Sequence, residues 1–205
     1  MCILANEAMV WHIDWSYNQA MGRPSVRTER REQITKAFAR VLAQRGYAGA
    51  TVVAIAEEAG VAPGLVHHHF ASKDDLIECL LTDLLTRLRK RTRGRENETD
   101  ALEAWVSAAL ALDGDADVVA ARCWVGIFAE AVREPKLFDR VRRLVDTEIA
   151  AIERRAAGTL DGHEAGGVLA FVIGALVMGA FAPRKTAGFA APTAIRLVAA
   201  LRGAS

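Results

Sequence analysis

His67, His68 and His69 run consecutively, and Lys73 follows four residues after the last of them. In a helix, neighbouring side chains point about 100° apart, so three in a row cannot converge on one ion. Metal ligands come from i, i+4 positions or from separate elements. The histidine run lacks that spacing and no CxxC pair is present, so no metal and no cofactor is expected. Imidazoles titrate near neutral pH, which gives this run a charge that varies with pH. One of the three, His69 first, can instead pack inward as a polar core residue. Cys2, Cys79 and Cys123 are scattered and odd in number. They indicate neither a disulfide framework nor a zinc site, and they fit a reducing, cytoplasmic setting. There is no nucleophile elbow, phosphate loop or HExxH motif. The adjacent carboxylates Glu57-Glu58 and Asp74-Asp75 read as capping and solvated charge rather than acid/base machinery. The chain reads as a binding protein, not an enzyme.

The histidines belong to the stretch TVVAIAEEAGVAPGLVHHHF, residues 51 to 70, followed by ASKDDL. Its pattern predicts two short helices around a tight turn. Ile55, Ala56 and Ala59 share a face of the first helix. Gly60 tolerates a left-handed backbone and stops that helix. Pro63 opens the second, and Ser72 is placed to cap a third. A short helix presented after a glycine turn is how a helix-turn-helix offers a recognition helix to the major groove.

Ile55-Ala56, Ala59-Gly60-Val61, Gly64, His68, Phe70 and Lys73 resemble the amino-terminal signature of the TetR family of transcriptional repressors. Upstream, Ile34, Phe38, Leu42, Gly46 and Tyr47 are similar to that family's first helix and its Gly-Tyr exit. The resemblance implies that Thr51, Val52, Val53, Pro63, Gly64, Leu65, His67, His68, His69 and Lys73 meet DNA. In it, the histidines approach the phosphate backbone and Lys73 adds a phosphate contact. Val52 and Val53 are apolar, so a contact there is with sugar or a thymine methyl. Pro63 stands where a polar residue is common, which leaves direct base reading sparse. Specificity then rests partly on DNA shape and on Arg23 and Arg27 reaching the minor groove. Arg30 and Arg31 read equally as further DNA contacts of the arm and as ordinary solvated charges.

Charge is uneven along the 205 residues, whose net is +1. Gly22 to Arg95 carries 14 Lys/Arg against 8 Asp/Glu, and Glu96 to Ser205 carries 12 against 15. A basic module on a mildly acidic body is the footprint of a nucleic-acid binder with a second, non-DNA domain. Hydrophobic residues make up 52% of the chain and strand signals are nearly absent, so the fold is expected to be all-α. Residues 1 to 21 lack the features of a signal peptide and read as a disordered arm or a mis-called start before Met21. The helix-turn-helix domain is expected over residues 22–72 and a connecting helix over 73–93. The polar hinge GRENETD then opens an effector-binding and dimerisation domain over 94–205.

That second domain is expected to hold helices over about 101–112, 116–133, 135–157, 164–181 and 192–202, with loops at 158–163 and 183–191. Trp105, Cys123, Trp124, Ile127, Phe128, Phe171 and Met178 fall at core-like spacings and are candidates for an effector pocket holding an apolar or cationic ligand. The stretch 121–143, ARCWVGIFAEAVREPKLFDRVRR, resembles the choline-responsive betaine-gene repressor subgroup, which implies a quaternary ammonium effector. The helix near residue 174 approaches the length of a membrane span. Gly166, Ala170 and Gly174 recur every four residues and, with Val177, form a small-residue face that serves close helix contact. The family's last two long helices build a four-helix dimer bundle, so a homodimer interface without a membrane is the expected use. The expected whole is a repressor that binds double-stranded DNA at a near-palindrome and leaves it when a small molecule binds. A membrane-tethered regulator and a helical ligand-binding protein without DNA function are the alternatives.

Overall fold

The computed structural model describes residues 25–97, 99–112 and 114–204. The expected amino-terminal arm and Arg23 lie outside the described residues. Ten helices and no strand occur among those described. In chain order they are α1 (Val26–Gly49), α2 (Val52–Ala59), α3 (Pro63–His69), α4 (Lys73–Arg93), α5 (Ala101–Ala109), α6 (Asp115–Ala131), α7 (Pro135–Arg155), α8 (Gly162–Phe181), α9 (Pro183–Ala187) and α10 (Ala190–Ala204).

Local chemistry sets the ends of the first four. The side chain of Ser25 accepts from the Thr28 amide at 3.2 Å, that of Thr51 from Ala54 at 3.2 Å and that of Ser72 from Asp75 at 3.2 Å. Each satisfies one of the amides a helix start leaves without a partner. Gly46 breaks α1 at φ 69°, and Gly60 closes α2 at φ 65°. Both values lie in the left-handed region that a Cβ disfavours. Ile34, Phe38, Val41 and Leu42 of α1 are buried against α2, α4 and α6. Lys90, Arg91 and Arg93 close α4, where cations suit the exposed carbonyl end.

The polar turn after α4 does not separate two cores. The core of α1–α4 continues through Cys123, Ile127 and Ala131 of α6 to Leu137 of α7. A second core joins α5, α7, α8 and α10 around Trp105, Ile152, Val168 and Val198. Asp100 caps α5 and pairs with Arg202 at the far end of the chain, 2.9 Å away. That guanidinium, more than anything else, holds the Asp100 carboxyl below its usual range.

Two boundaries differ from the sequence expectation. Helix α5 stops at Ala109, because Leu110 and Leu112 leave the helix to become buried. Leu112 joins Ala121 and Ala180 in a small third cluster. The expected loop at 183–191 instead contains α9. Pro183 supplies a helix-ready φ there, and the Thr186 hydroxyl donates to the Ala182 carbonyl at 2.9 Å.

Candidate nucleic-acid interface and ligand cavity

Helix α3 is held by Val66 and Phe70, which are buried, while Pro63, Gly64, His67 and His68 remain exposed. Leu65 is half-buried. Thr51 and Val53, at the start of α2, are also exposed, Val53 to 65%. Thr51, Val52, His67 and Lys73 line one small cleft of about 150 Å³ where the starts of α2 and α4 meet the end of α3. Arg27 is exposed in the first turn of α1. The residues expected at DNA and described here, His69 and Lys73 aside, therefore present freely accessible or half-accessible atoms.

His69 and Lys73 are engaged by the fold. His69 is half-buried, and its Nδ1 is enclosed without a hydrogen-bond partner. Desolvation, then the positive neighbours His68, Arg27, Arg31 and Arg30, push its pKa down. Lys73 Nζ donates to the Tyr47 carbonyl and lies 3.9 Å from the centroid of that ring. Burial lowers its pKa against an opposing pull from Glu130. A lysine that closes the carbonyl end of α1 is a positioning group in the free chain.

Arg31 is not a solvated charge. It donates to the His69 carbonyl, reaches Cys79 Sγ at 3.3 Å and lies 4.2 Å above the centre of the Phe70 ring. One guanidinium thus ties α1 to the end of α3 and to α4. Gln33 Nε2 donates to the Ala59 carbonyl at 2.6 Å and ties α1 to the end of α2. These bonds fix the angle at which α3 leaves the module.

The body holds a half-open cavity of about 300 Å³ between α4, α5, α6, α7 and α8. Trp105, Trp124 and Phe128, three of the expected residues, line it, and the last two stack at 5.7 Å between ring centres. The other four lie elsewhere. Cys123 and Ile127 face a different neighbour, the core beneath α1, where Cys123 Sγ donates to the Ala39 carbonyl at 3.3 Å. Burial pushes the Cys123 thiol up to about 12. Phe171 is half-buried against the second core, and Met178 is 50% exposed on the outer face of α8. The cavity instead gains Leu84 and Leu88 from α4, Leu144, Val145 and Glu148 from α7, and Leu169 from α8. Leu144, Glu148 and Ile152 share one stripe of α7 at four-residue spacing. A carboxylate inside an apolar stripe is the sequence signal that marks Glu148. Arg91 of α4 and Asp117 of α6, which also line the cavity, form an ion pair in its wall.

The sequence pattern of the bacterial regulatory proteins of the tetR family matches residues 34–80, which span most of α1, all of α2 and α3 and the first part of α4. Among curated relatives, the transcriptional regulator BetI 2 of Chromohalobacter salexigens is 30% identical over 163 residues, which cover 75% of this chain and 79% of that protein. This chain belongs to the TetR family. BetI of Burkholderia mallei is 29% identical over 170 residues, covering 79% of the chain and 87% of the relative. A solved transcriptional regulator from a Rhodococcus species superposes with a TM-score of 0.73 at 26% identity, over 83% of this chain and 95% of its own. As a TetR-family member, the chain is a helix-turn-helix transcriptional regulator rather than an enzyme. The family binds operator DNA, dimerises and takes small-molecule ligands. Helix α8 is long and apolar enough to cross a membrane. Here it packs on α6, α7 and α10 and starts in a capping box made by Asp161 and Glu164.

Proposed function

We propose that this TetR-family chain acts in the cytoplasm as a homodimeric repressor. In this reading it holds a near-palindromic operator and releases it when a small molecule fills the body cavity. The observation that carries the reading is the exposed edge of α2 and α3, with Thr51, Val53, Pro63, Gly64, His67 and His68 outward, on a module whose core runs on into the cavity-bearing body. The exposed side of α8 supports the second copy: Ala170, Gly174 and Val177 leave close-approach surface, and Phe181 is 79% exposed beside them. Gly166, on the same stripe, is half-buried. Two copies set the two α3 helices about one DNA turn apart.

Coupling has a physical route. Helix α6 carries Trp124 and Phe128 on the cavity and Cys123 and Ile127 beneath α1. A ligand that favours a different position of α6 therefore also biases the module, by no more than its differential affinity for the two positions. Lys73 contacts a phosphate in this reading by exchanging the Tyr47 carbonyl for a phosphate oxygen, and Arg27 supplies the arm contact.

Binding to duplex DNA from around the chain's own gene, followed over a range of salt, tests the proposal. The wild type is compared with His67→Ala/His68→Ala, which removes two exposed rings and leaves the buried contacts of Lys73 and Arg31 intact. Specific binding that weakens steeply with salt in the wild type and drops in the variant is the expected result. Equal, weak binding of both proteins to specific and random DNA contradicts it.

A further inference from the structure

Where the body touches the module, charged groups from both meet. The core that α1–α4 share with α6 and α7 holds Ile127, Ala131 and Leu137, and Tyr47 packs against that same core. Gly126 lets α6 come close to α1, since a Cβ there would stand 3.4 Å from Leu42 Cδ1. Glu130 follows Ile127 by three residues and directly precedes Ala131, so it stands at the edge of the buried stripe of α6. Half-buried there, it is carried by the body up to the Tyr47–Lys73 contact. Burial raises the Tyr47 pKa first, and the carboxylates Asp74, Glu130 and Glu134 add to the rise.

These carboxylates are not equivalent. Asp74 rides on α4 beside Lys73, so it moves with the lysine. Glu134 acts on Tyr47 and not on Lys73. Glu130 acts on Lys73 and favours its charged form. Neither a hydrogen bond nor an ion pair engages the Glu130 carboxylate among the described residues, so its pull on Lys73 is exerted through space. Such a pull weakens with distance, and the distance is set by where α6 lies against α1 and α4.

We propose that Glu130 is a positioning residue for the DNA contact of Lys73: from the body it draws the ammonium towards the exit of α1 and away from phosphate. The strength of the contact then follows the position of α6. The inference rests on the DNA-binding reading above, in which Lys73 exchanges the Tyr47 carbonyl for a phosphate oxygen. Trp124 and Phe128, on the cavity wall, belong to the same helix, and Phe128 is two residues from Glu130. A shift of α6 towards α1 tightens the hold on Lys73 and weakens DNA binding, and its withdrawal does the reverse.

Fluorescence anisotropy over a range of salt tests this on a duplex selected from a random pool by the wild-type full chain. The proteins are wild type, Glu130→Gln, Glu130→Asp, Lys73→Gln and the double variant Glu130→Gln/Lys73→Gln. Glutamine at 73 keeps a donor for the Tyr47 carbonyl, and glutamine at 130 keeps the side-chain shape and breaks no bond, so both single variants are expected to fold. Glu130→Gln is expected to bind about fivefold more tightly at low salt, with a steeper salt dependence as Lys73 engages phosphate more fully. Glu130→Asp, which keeps the charge, is expected within about twofold of wild type, and the gain from Glu130→Gln is expected to fall below about twofold once Lys73 is glutamine. A Glu130→Gln that binds no more tightly, or that fails to fold, overturns the inference. So does a gain that persists in the Lys73→Gln background, because that gain is general repulsion between a carboxylate and DNA. If the wild type selects no duplex, the DNA-binding reading falls and this inference with it.

Discussion

The amino-terminal module and the body use burial in opposite ways. In the module, Ile34, Phe38, Ile55 and Leu80 are fully buried, and Arg31, Gln33 and Lys73 each bind a backbone carbonyl across helices. In the body, the helices leave about 300 Å³ unfilled, place an unpartnered carboxylate on its wall and expose Phe181 and Met178. A filled interior with cross-braced helices keeps α3 at one angle. An interior with a void and a desolvated charge is less stable than its size permits, and a ligand can restore what is missing. The difference separates the part that must stay rigid from the part that must respond.

Truncation within the module tests its side of the comparison most severely. Phe38→Ala removes a fully buried ring beside Leu42 and Ile55 and is expected to cost about 3–5 kcal/mol, enough to unfold the module. Thermal unfolding checks it, and a loss near zero would mean the module is not the packed unit described.

Enlargement sharpens the contrast. Ala37 is fully buried in α1, and Ala37→Leu is expected to lose about 1–3 kcal/mol by overpacking. Ala120 borders the cavity, and Ala120→Leu is expected to lose less than about 1 kcal/mol, or to gain stability, while weakening ligand binding. Equal losses in the two variants would erase the distinction.

Glu148→Gln is a smaller effect with a pH signature. Burial raises the Glu148 pKa above its unfolded value, so the folded protein binds the proton more tightly than the unfolded chain. Ionised Glu148 therefore lowers stability at neutral pH, and the loss is relieved as pH falls through the folded value towards the ordinary carboxylate range. Glu148→Gln should raise the melting temperature at pH 7, and the gap to wild type should close on acidification. A variant less stable at pH 7, or a gap independent of pH, contradicts this.

The smallest expected effect lies on the DNA face. If the exposed His67 and His68 approach phosphates, replacing both by alanine lowers DNA affinity at fixed salt and flattens its salt dependence. An unchanged affinity and salt dependence in His67→Ala/His68→Ala would remove the histidines from the interface.

Much of the module was legible because its signals are local. Gly60, Pro63 and Ser72 act within one turn of where they stand, and the structure places a left-handed stop, a helix start and a cap at those residues. Tertiary partners were not legible. Arg31 and Lys73 look like surface charges in the sequence, and only the meeting of α1 with α3 and α4 gives them carbonyls to bind. In α6, Cys123 and Ile127 form one i, i+4 stripe and Trp124 and Phe128 another, about 100° round the helix. Periodicity identifies both stripes as buried without saying which neighbour each meets, so all four were grouped in one pocket. Met178 was misplaced for the same reason, since an apolar residue on α8 serves a core and an outer face alike.

The most direct test of the account selects duplexes from a random pool with the full chain and then lengthens the selected sequence at its centre. If two α3 helices of a dimer read successive major grooves, the selected sequence is an inverted repeat. Inserting about five base pairs, half a turn, then abolishes binding, and inserting about ten largely restores it. Selection of a single unrepeated site, or binding indifferent to the insertion, would contradict the dimeric DNA-binding geometry at the centre of the account.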